Sequence, residues 1–198
     1  MTKVKICGIT NIEDARVAVR HGADALGFNF YPKSPRYLKP TVARPIIDTL
    51  PDEILSVGVF VNEPLESLIE IARISGIGAI QLHGDESSEL ATMVREASGL
   101  EVIKAFRVSP GFKPRNVLEY DVDAILLDAY SPHEHGGTGE TFDWDVAKRV
   151  KGLFPKMYLA GGLGPDNVMD AISAVGPYAV DACSGLEITK GRKDSEKV

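Results

Sequence analysis

Eight short apolar runs recur along the chain: VKIC (4–7), ALGFNF (25–30), ILSVGVFV (54–61), AIQLH (79–83), VIKAF (102–106), AILLD (124–128), MYLAG (157–161) and AVDAC (179–183). Most are continuously apolar rather than alternating, the pattern of strands buried on both faces of a parallel sheet. Helical patterns separate many of them. NIEDARVAVRHG (11–22) opens at an N-cap asparagine, has acids in its first turn and stops at Gly22. EPLESLIEIARISG (63–76) has a proline near its start and Leu65, Leu68, Ile69 and Ala72 at helical spacing. DESSELATMVREASG (85–99), FDWDVAKRVKG (142–152) and GPDNVMDAISAVG (164–176) repeat the pattern, and TVARPIIDTL (41–50) is weaker because it contains Pro45.

The strand starts recur about every 25 residues, a repeat that fits eight βα units and predicts a small α/β protein, the (β/α)8 TIM barrel with eight parallel strands. A doubly wound sheet is the alternative, but no dinucleotide fingerprint accompanies these evenly sized units. After the eighth run only SGLEITKGRKDSEKV remains, room for about one turn of a final helix. The expectation is a single domain over 1–198 whose eighth helix is short or truncated.

Composition narrows the class. The chain has 198 residues, 44% of them hydrophobic, and a formal net charge of −6. An acidic chain of this kind is expected to bind neither nucleic acid nor an anionic membrane surface, although a local basic pocket for a small anion remains compatible. No apolar run approaches a membrane span, and MTKVKIC lacks the apolar core of a signal peptide, so a cytoplasmic location is expected. Cys7 and Cys183 have no zinc-type spacing and are expected to be reduced.

In such barrels chemistry sits at the C-terminal ends of the strands. Those positions carry Cys7, Asn29 with Arg36 in the following loop, Asn62, His83, Arg107, Asp128, Gly161-Gly162, and Asp181 with Ser184. The loops LAGGLGPDN (159–167) and CSGLE (183–187), with Gly161, Gly162, Ser184 and Gly185, follow the seventh and eighth strands. Glycines let backbone N–H groups approach an anion, so a phosphate site is expected there rather than simple tight turns. Asp128 ends a strand with no other charge and faces Cys7 across the mouth. A buried carboxyl favours its neutral form and can donate a proton. A thiol near cations ionises more readily and can accept one. The plainer alternatives are a capping or ion-paired Asp128 and a Cys7 that packs as a small hydrophobe.

Arg36 lies in YPKSPRYL, a loop stiffened by two prolines, where its guanidinium could grip a carboxylate or stay solvated. His83 could contact a substrate or cap the next helix. In SPHEHGGTGETFDW (131–144), His133 and His135 form only a weak metal pattern, so no metal is expected, and the glycine-rich run reads as a lid.

KICGIT, GFNFYPKSPRYL, GVFVNEP, QLHGDE, LLDAY, GGTGETFDW, LAGGLGPDNV and DACSGLE occur in order along nearly the whole chain. Together they resemble the phosphoribosylanthranilate isomerase family. The short C-terminus departs from the family, which usually continues into a full eighth helix. The resemblance implies the Amadori rearrangement of N-(5-phosphoribosyl)anthranilate to 1-(2-carboxyphenylamino)-1-deoxyribulose 5-phosphate, in tryptophan biosynthesis. It implies Asp128 as general acid, Cys7 as general base, Arg36 on the anthranilate carboxylate, and Asp181 near the ribose or the amine. The phosphate would lie on Gly161, Gly162, Ser184 and Gly185. No cofactor is implied, the partner is the small phosphosugar-anthranilate substrate, and the family contains monomers and homodimers. Three readings compete: a metal-dependent phosphosugar epimerase, a histidine-pathway relative working with two aspartates, and a non-catalytic phosphate-binding barrel.

Overall fold

The computed structural model of the chain describes residues 1–129 and 144–198. Eight strands form a closed, all-parallel barrel in sequential order: β1 (Lys3–Cys7), β2 (Ala25–Asn29), β3 (Leu55–Phe60), β4 (Ala79–Leu82), β5 (Glu101–Val108), β6 (Ala124–Ala129), β7 (Met157–Leu159) and β8 (Ala179–Ala182). Closure pairs β1 with β8 in a register that sets Lys5 beside Asp181 and Ile6 beside Ala182.

The described helices are α1 (Ile12–Arg20), α2 (Pro40–Ile47), α3 (Leu65–Ser75), α4 (Ser88–Ser98), α5 (Trp144–Leu153) and α6 (Val168–Val175). Each expected helix within the described residues is present, with its ends shifted by a few residues. Asn11 caps α1 by accepting from the Asp14 N–H at 2.9 Å, and Ser87 caps α4 through the Leu90 N–H at 3.2 Å. Short α2 accommodates Pro45, which forfeits one backbone bond within eight residues. A 3₁₀ turn over Pro114–Glu119 replaces a full helix between β5 and β6.

The tail differs from the expected helical turn. After β8 comes one 3₁₀ turn, Ser184–Leu186, and then an antiparallel hairpin of β9 (Glu187–Thr189) and β10 (Arg192–Lys193). Lys190-Gly191 make its turn, with Gly191 at φ +82°. The hairpin is tied to the start of α1: the Thr10 hydroxyl donates to the Gly191 carbonyl at 2.6 Å, and the Lys193 N–H donates to the buried Asp14 carboxylate at 2.9 Å.

Strand alternation divides the core in two. Ala25, Val57, Ala79, Ile103, Leu126 and Tyr158 fill the barrel interior. Ile6, Leu26, Phe60, Ile80 and Ile125, on the opposite faces, pack with helix residues such as Ala15, Leu68 and Ala91. Both faces are dry, which accounts for the continuous apolar runs. Inward positions two residues apart share a face, so Lys5 leads to Cys7, Gln81 to His83, Leu126 to Asp128, and Asp181 to Cys183.

Candidate active site

Near the C-terminal ends of the strands, Cys7, Arg36, His83, Asp128, Asp181 and Ser184 line a cavity of about 310 Å³, joined by Gly161 and Gly162. Most of the sequence-chosen residues thus converge; Asn62 and Arg107 do not line the cavity, and Gly185 stands behind its wall, its carbonyl 3.5 Å from where a side chain on Gly164 would begin. His133, Glu134, His135 and the glycine-rich run fall outside the described residues. Among the described residues, no cluster of three or more His, Cys, Asp or Glu could hold a metal ion.

Cys7 ends β1 and is buried. Gly27 of β2 makes room for it: a Cβ there would stand 2.6 Å from the Cys7 sulfur. The Cys183 thiol donates a hydrogen bond to that sulfur. This bond, with the cations of Lys5 and Lys193 and the field of His83, outweighs burial and holds the Cys7 thiol well below its ordinary range. The coupling drives Cys183 the opposite way, well above the usual thiol value.

Asp128 is held from two sides. Its Oδ1 accepts from the Ala129 N–H at 2.9 Å, and its Oδ2 lies 3.2 Å from His83 Nε2. The Gln81 amide nitrogen lies 2.7 Å from His83 Nδ1. With that nitrogen donating, Nδ1 is the acceptor and Nε2–H points at Asp128, so Gln81 sets the tautomer. His83 therefore serves Asp128 rather than capping α4, whose cap is Ser87.

Asp181 and Lys5 form a buried ion pair at 2.7 Å. Both groups are shifted upward, which is opposite to what a simple pair does to its acid. Burial dominates at the carboxyl, partly opposed by Lys5 and reinforced by nearby Cys7, so Asp181 is pushed up to about 7. For Lys5, burial is outweighed by Asp181 and Cys7 together. The ammonium is the charge this site retains throughout.

Arg36 is more constrained than its loop suggests. Its Nε and Nη2 donate to the two carboxylate oxygens of Glu187 at 2.7 and 2.8 Å. Burial works against the Glu187 charge, but Arg36 and Lys193 hold its pKa below the ordinary value. Lys193 also donates to the Cys183 carbonyl at 3.0 Å, so the hairpin braces the cavity wall.

The glycine loops after β7 and β8 meet each other. Gly161 has φ +90°, and a Cβ on it would lie 2.5 Å from the Ala129 nitrogen, so a larger residue would strike the β6 backbone. Asn167 fixes this loop by accepting from the Gly164 N–H at 3.0 Å and donating to the Gly162 carbonyl at 2.9 Å. The result is a glycine-lined concavity next to the helix α6 and Ser184, suited to a small anion.

Lys5, Gln81, Cys183, Glu187 and Lys193 are participants that strand-end reading misses. For Lys5 and Gln81 the available signal was a polar residue two places before a mouth residue, on the same strand face.

Residues 4–198 match the family model described as N-(5'phosphoribosyl)anthranilate (PRA) isomerase. The chain is 53% identical over its full length to N-(5'-phosphoribosyl)anthranilate isomerase of Citrifermentans bemidjiense, covering 94% of that protein. A crystal structure of phosphoribosyl anthranilate isomerase from Thermotoga maritima superposes with a TM-score of 0.92 at 46% identity, over 99% of this chain and 94% of that one. Another, in complex with reduced 1-(o-carboxyphenylamino)-1-deoxyribulose 5-phosphate, gives 0.88 at 44% identity with the same coverage.

Proposed function

The chain belongs to the N-(5'-phosphoribosyl)anthranilate isomerase family, and on that premise we propose that Cys7 and Asp128 are the base and acid of its reaction. The enzyme is an isomerase of tryptophan biosynthesis that converts N-(5-phosphoribosyl)anthranilate to 1-(2-carboxyphenylamino)-1-deoxyribulose 5-phosphate. In the proposed sequence Asp128 protonates the furanose ring oxygen, the C1–O bond breaks, and the amine nitrogen's electron pair forms a C1=N Schiff base. The Cys7 thiolate then removes the proton from C2, and the C–H electron pair becomes the C1=C2 bond of an enolamine. Protonation at C1, with loss of the proton from the C2 hydroxyl, gives the ketose. C2 is oxidised and C1 reduced within one molecule, so the balance closes without a redox cofactor.

The observation that carries this assignment is the cavity that unites a thiol beside buried cations with a histidine-supported carboxyl. The glycine loops with Ser184 would bind the phosphate, Gly185 packing behind them against Leu163 and Gly164. Asp181 and His83 would lie against the ribose and the amine. Glu187 takes two of the N–H donors of Arg36, and a guanidinium has five, so the substrate carboxylate would meet the remaining ones.

We place the enzyme in the cytoplasm, as suits a biosynthetic step on a phosphorylated intermediate; among the described residues no helix is long and apolar enough to cross a membrane. A monomer or homodimer is proposed, since one similar structure is described as monomers generated from a dimeric enzyme of Thermotoga maritima. The test is turnover of freshly formed phosphoribosylanthranilate in EDTA. Ketose formation is expected at an undiminished rate; no turnover by the folded chain, or loss of turnover on chelation, would overturn the reading.

A further inference from the structure

Lys5 takes no part in the steps above, yet it is a lysine with 0% exposure inside the barrel, its Nζ 2.7 Å from Asp181 Oδ1. Stability alone does not call for it, because a buried ion pair can often be replaced by apolar side chains without loss. What distinguishes this pair is a third member. Cys7 is two residues further along β1, on the same inward face, near enough that its sulfur and the Lys5 ammonium each favour the other's charge. The groups facing Cys7 from other elements are Asp181 on β8 and Cys183 just after it, His83 after β4, Lys193 on β10, and Arg36 in the loop after β2. Cys183 is a neutral donor. Lys193 is engaged by Glu187 and the Cys183 carbonyl, and Arg36 by Glu187. Among these cations Lys5 acts most strongly on the thiol.

We propose that Lys5 is a positioning residue for the reaction: an ammonium shared between Asp181 and Cys7 that holds the thiol as thiolate until it takes the proton from C2. The proposal rests on Cys7 being the base. When the C2–H bond breaks and its proton moves to sulfur, the thiolate charge disappears and Lys5 is left paired with Asp181 alone. The same cation thus has an anionic partner before and after the proton moves.

The test compares the native chain with Lys5→Met and with Lys5→Met/Asp181→Asn, which removes both charges and covers the case in which the single variant fails to fold. Alkylation of Cys7 by iodoacetamide is followed across pH by peptide mass, which separates Cys7 from Cys183. A rise of one unit in the thiol midpoint moves the alkylation profile up by one pH unit, so Cys7 reacts about tenfold more slowly at any pH below both midpoints, and at least that shift is expected in the folded variants. kcat should fall by a similar factor or more while KM changes far less. A native alkylation profile in a folded variant would overturn the proposal. Because alkylation needs no substrate, native kcat with a shifted thiol would count against the reading of Cys7 as base and leave the Lys5–Cys7 link standing.

Discussion

Two buried lysine–carboxylate pairs occupy opposite sides of the barrel wall. Lys5 and Asp181 meet at 2.7 Å inside the barrel, and Lys104 and Glu86 meet at 2.7 Å outside it, between β5 and the loop before α4. Their chemistry and distance match, but their surroundings differ. Lys104 also donates to the Gly84 carbonyl at 2.8 Å, and Glu86 accepts from the backbone N–H groups of Asn62 and Gly84. That pair is saturated by backbone and works as a clip joining β3, β4 and β5; burial lowers the Lys104 pKa despite Glu86 beside it. The inner pair instead borders a cavity and shares its cation with a thiol. A buried ion pair is structural or functional according to what else lies within reach of it.

The comparison can be broken most severely at the acid. Asp128→Asn should lower turnover by about 10²–10⁴-fold, the usual contribution of one general acid, with the melting temperature nearly unchanged. Turnover within tenfold of native in the folded variant would remove Asp128 from the mechanism. Next in size, Lys104→Met leaves Glu86 buried without its cation and should destabilise the fold by about 3–5 kcal/mol in urea titration. Its kcat, measured where it remains folded, should stay near native; a collapse of kcat would erase the distinction between the two pairs. Gly161→Ala forces a Cβ against the Ala129 nitrogen at a left-handed position and should cost about 1–3 kcal/mol of local strain. KM should rise more than kcat falls, and unchanged KM would argue against phosphate at this loop.

A smaller, sharper effect concerns pH. Asp181 is pushed up to about 7 from its ordinary 3.8, so the folded chain binds a proton more readily than the unfolded one between those values. The stability from its neutral form is fully present below about 4 and is lost as pH rises through about 7. The depressed Cys7 thiol has the opposite sign: its contribution is present above the ordinary thiol value and is lost as pH falls through the lower folded value. Carboxyl carbon NMR should find Asp181 titrating near 7, and lower in Cys7→Ala, where the neighbouring thiolate is gone. An unmoved midpoint would uncouple the two groups.

The barrel was legible because helices cover one face of each strand and side-chain layers fill the other, which leaves continuous apolar runs in the sequence. Cys7, Asp128 and the glycine loops were legible because polar or flexible residues at the ends of such runs need a cavity or a partner. Lys5 and Gln81 carried only the weaker signal of a polar residue two places before a mouth residue, and the contacts that give them a role come from other elements or from the fold. Closing β8 onto β1 creates the contact between Lys5 and Asp181. Glu187 meets Arg36 across a sequence separation of 151 residues, with no local pattern to announce it. The tail did carry a signal: ITKGRK places a Lys-Gly turn after a β-branched pair, which favours the hairpin over a helical turn.

The central claim is that Cys7 takes the proton from C2, and single-turnover kinetics with substrate deuterated at C2 tests it most directly. The native chain should convert the deuterated substrate more slowly than the ordinary one, and Cys7→Ala should be slow with both. Equal rates for the two substrates in the native chain, together with native speed in folded Cys7→Ala, would contradict it.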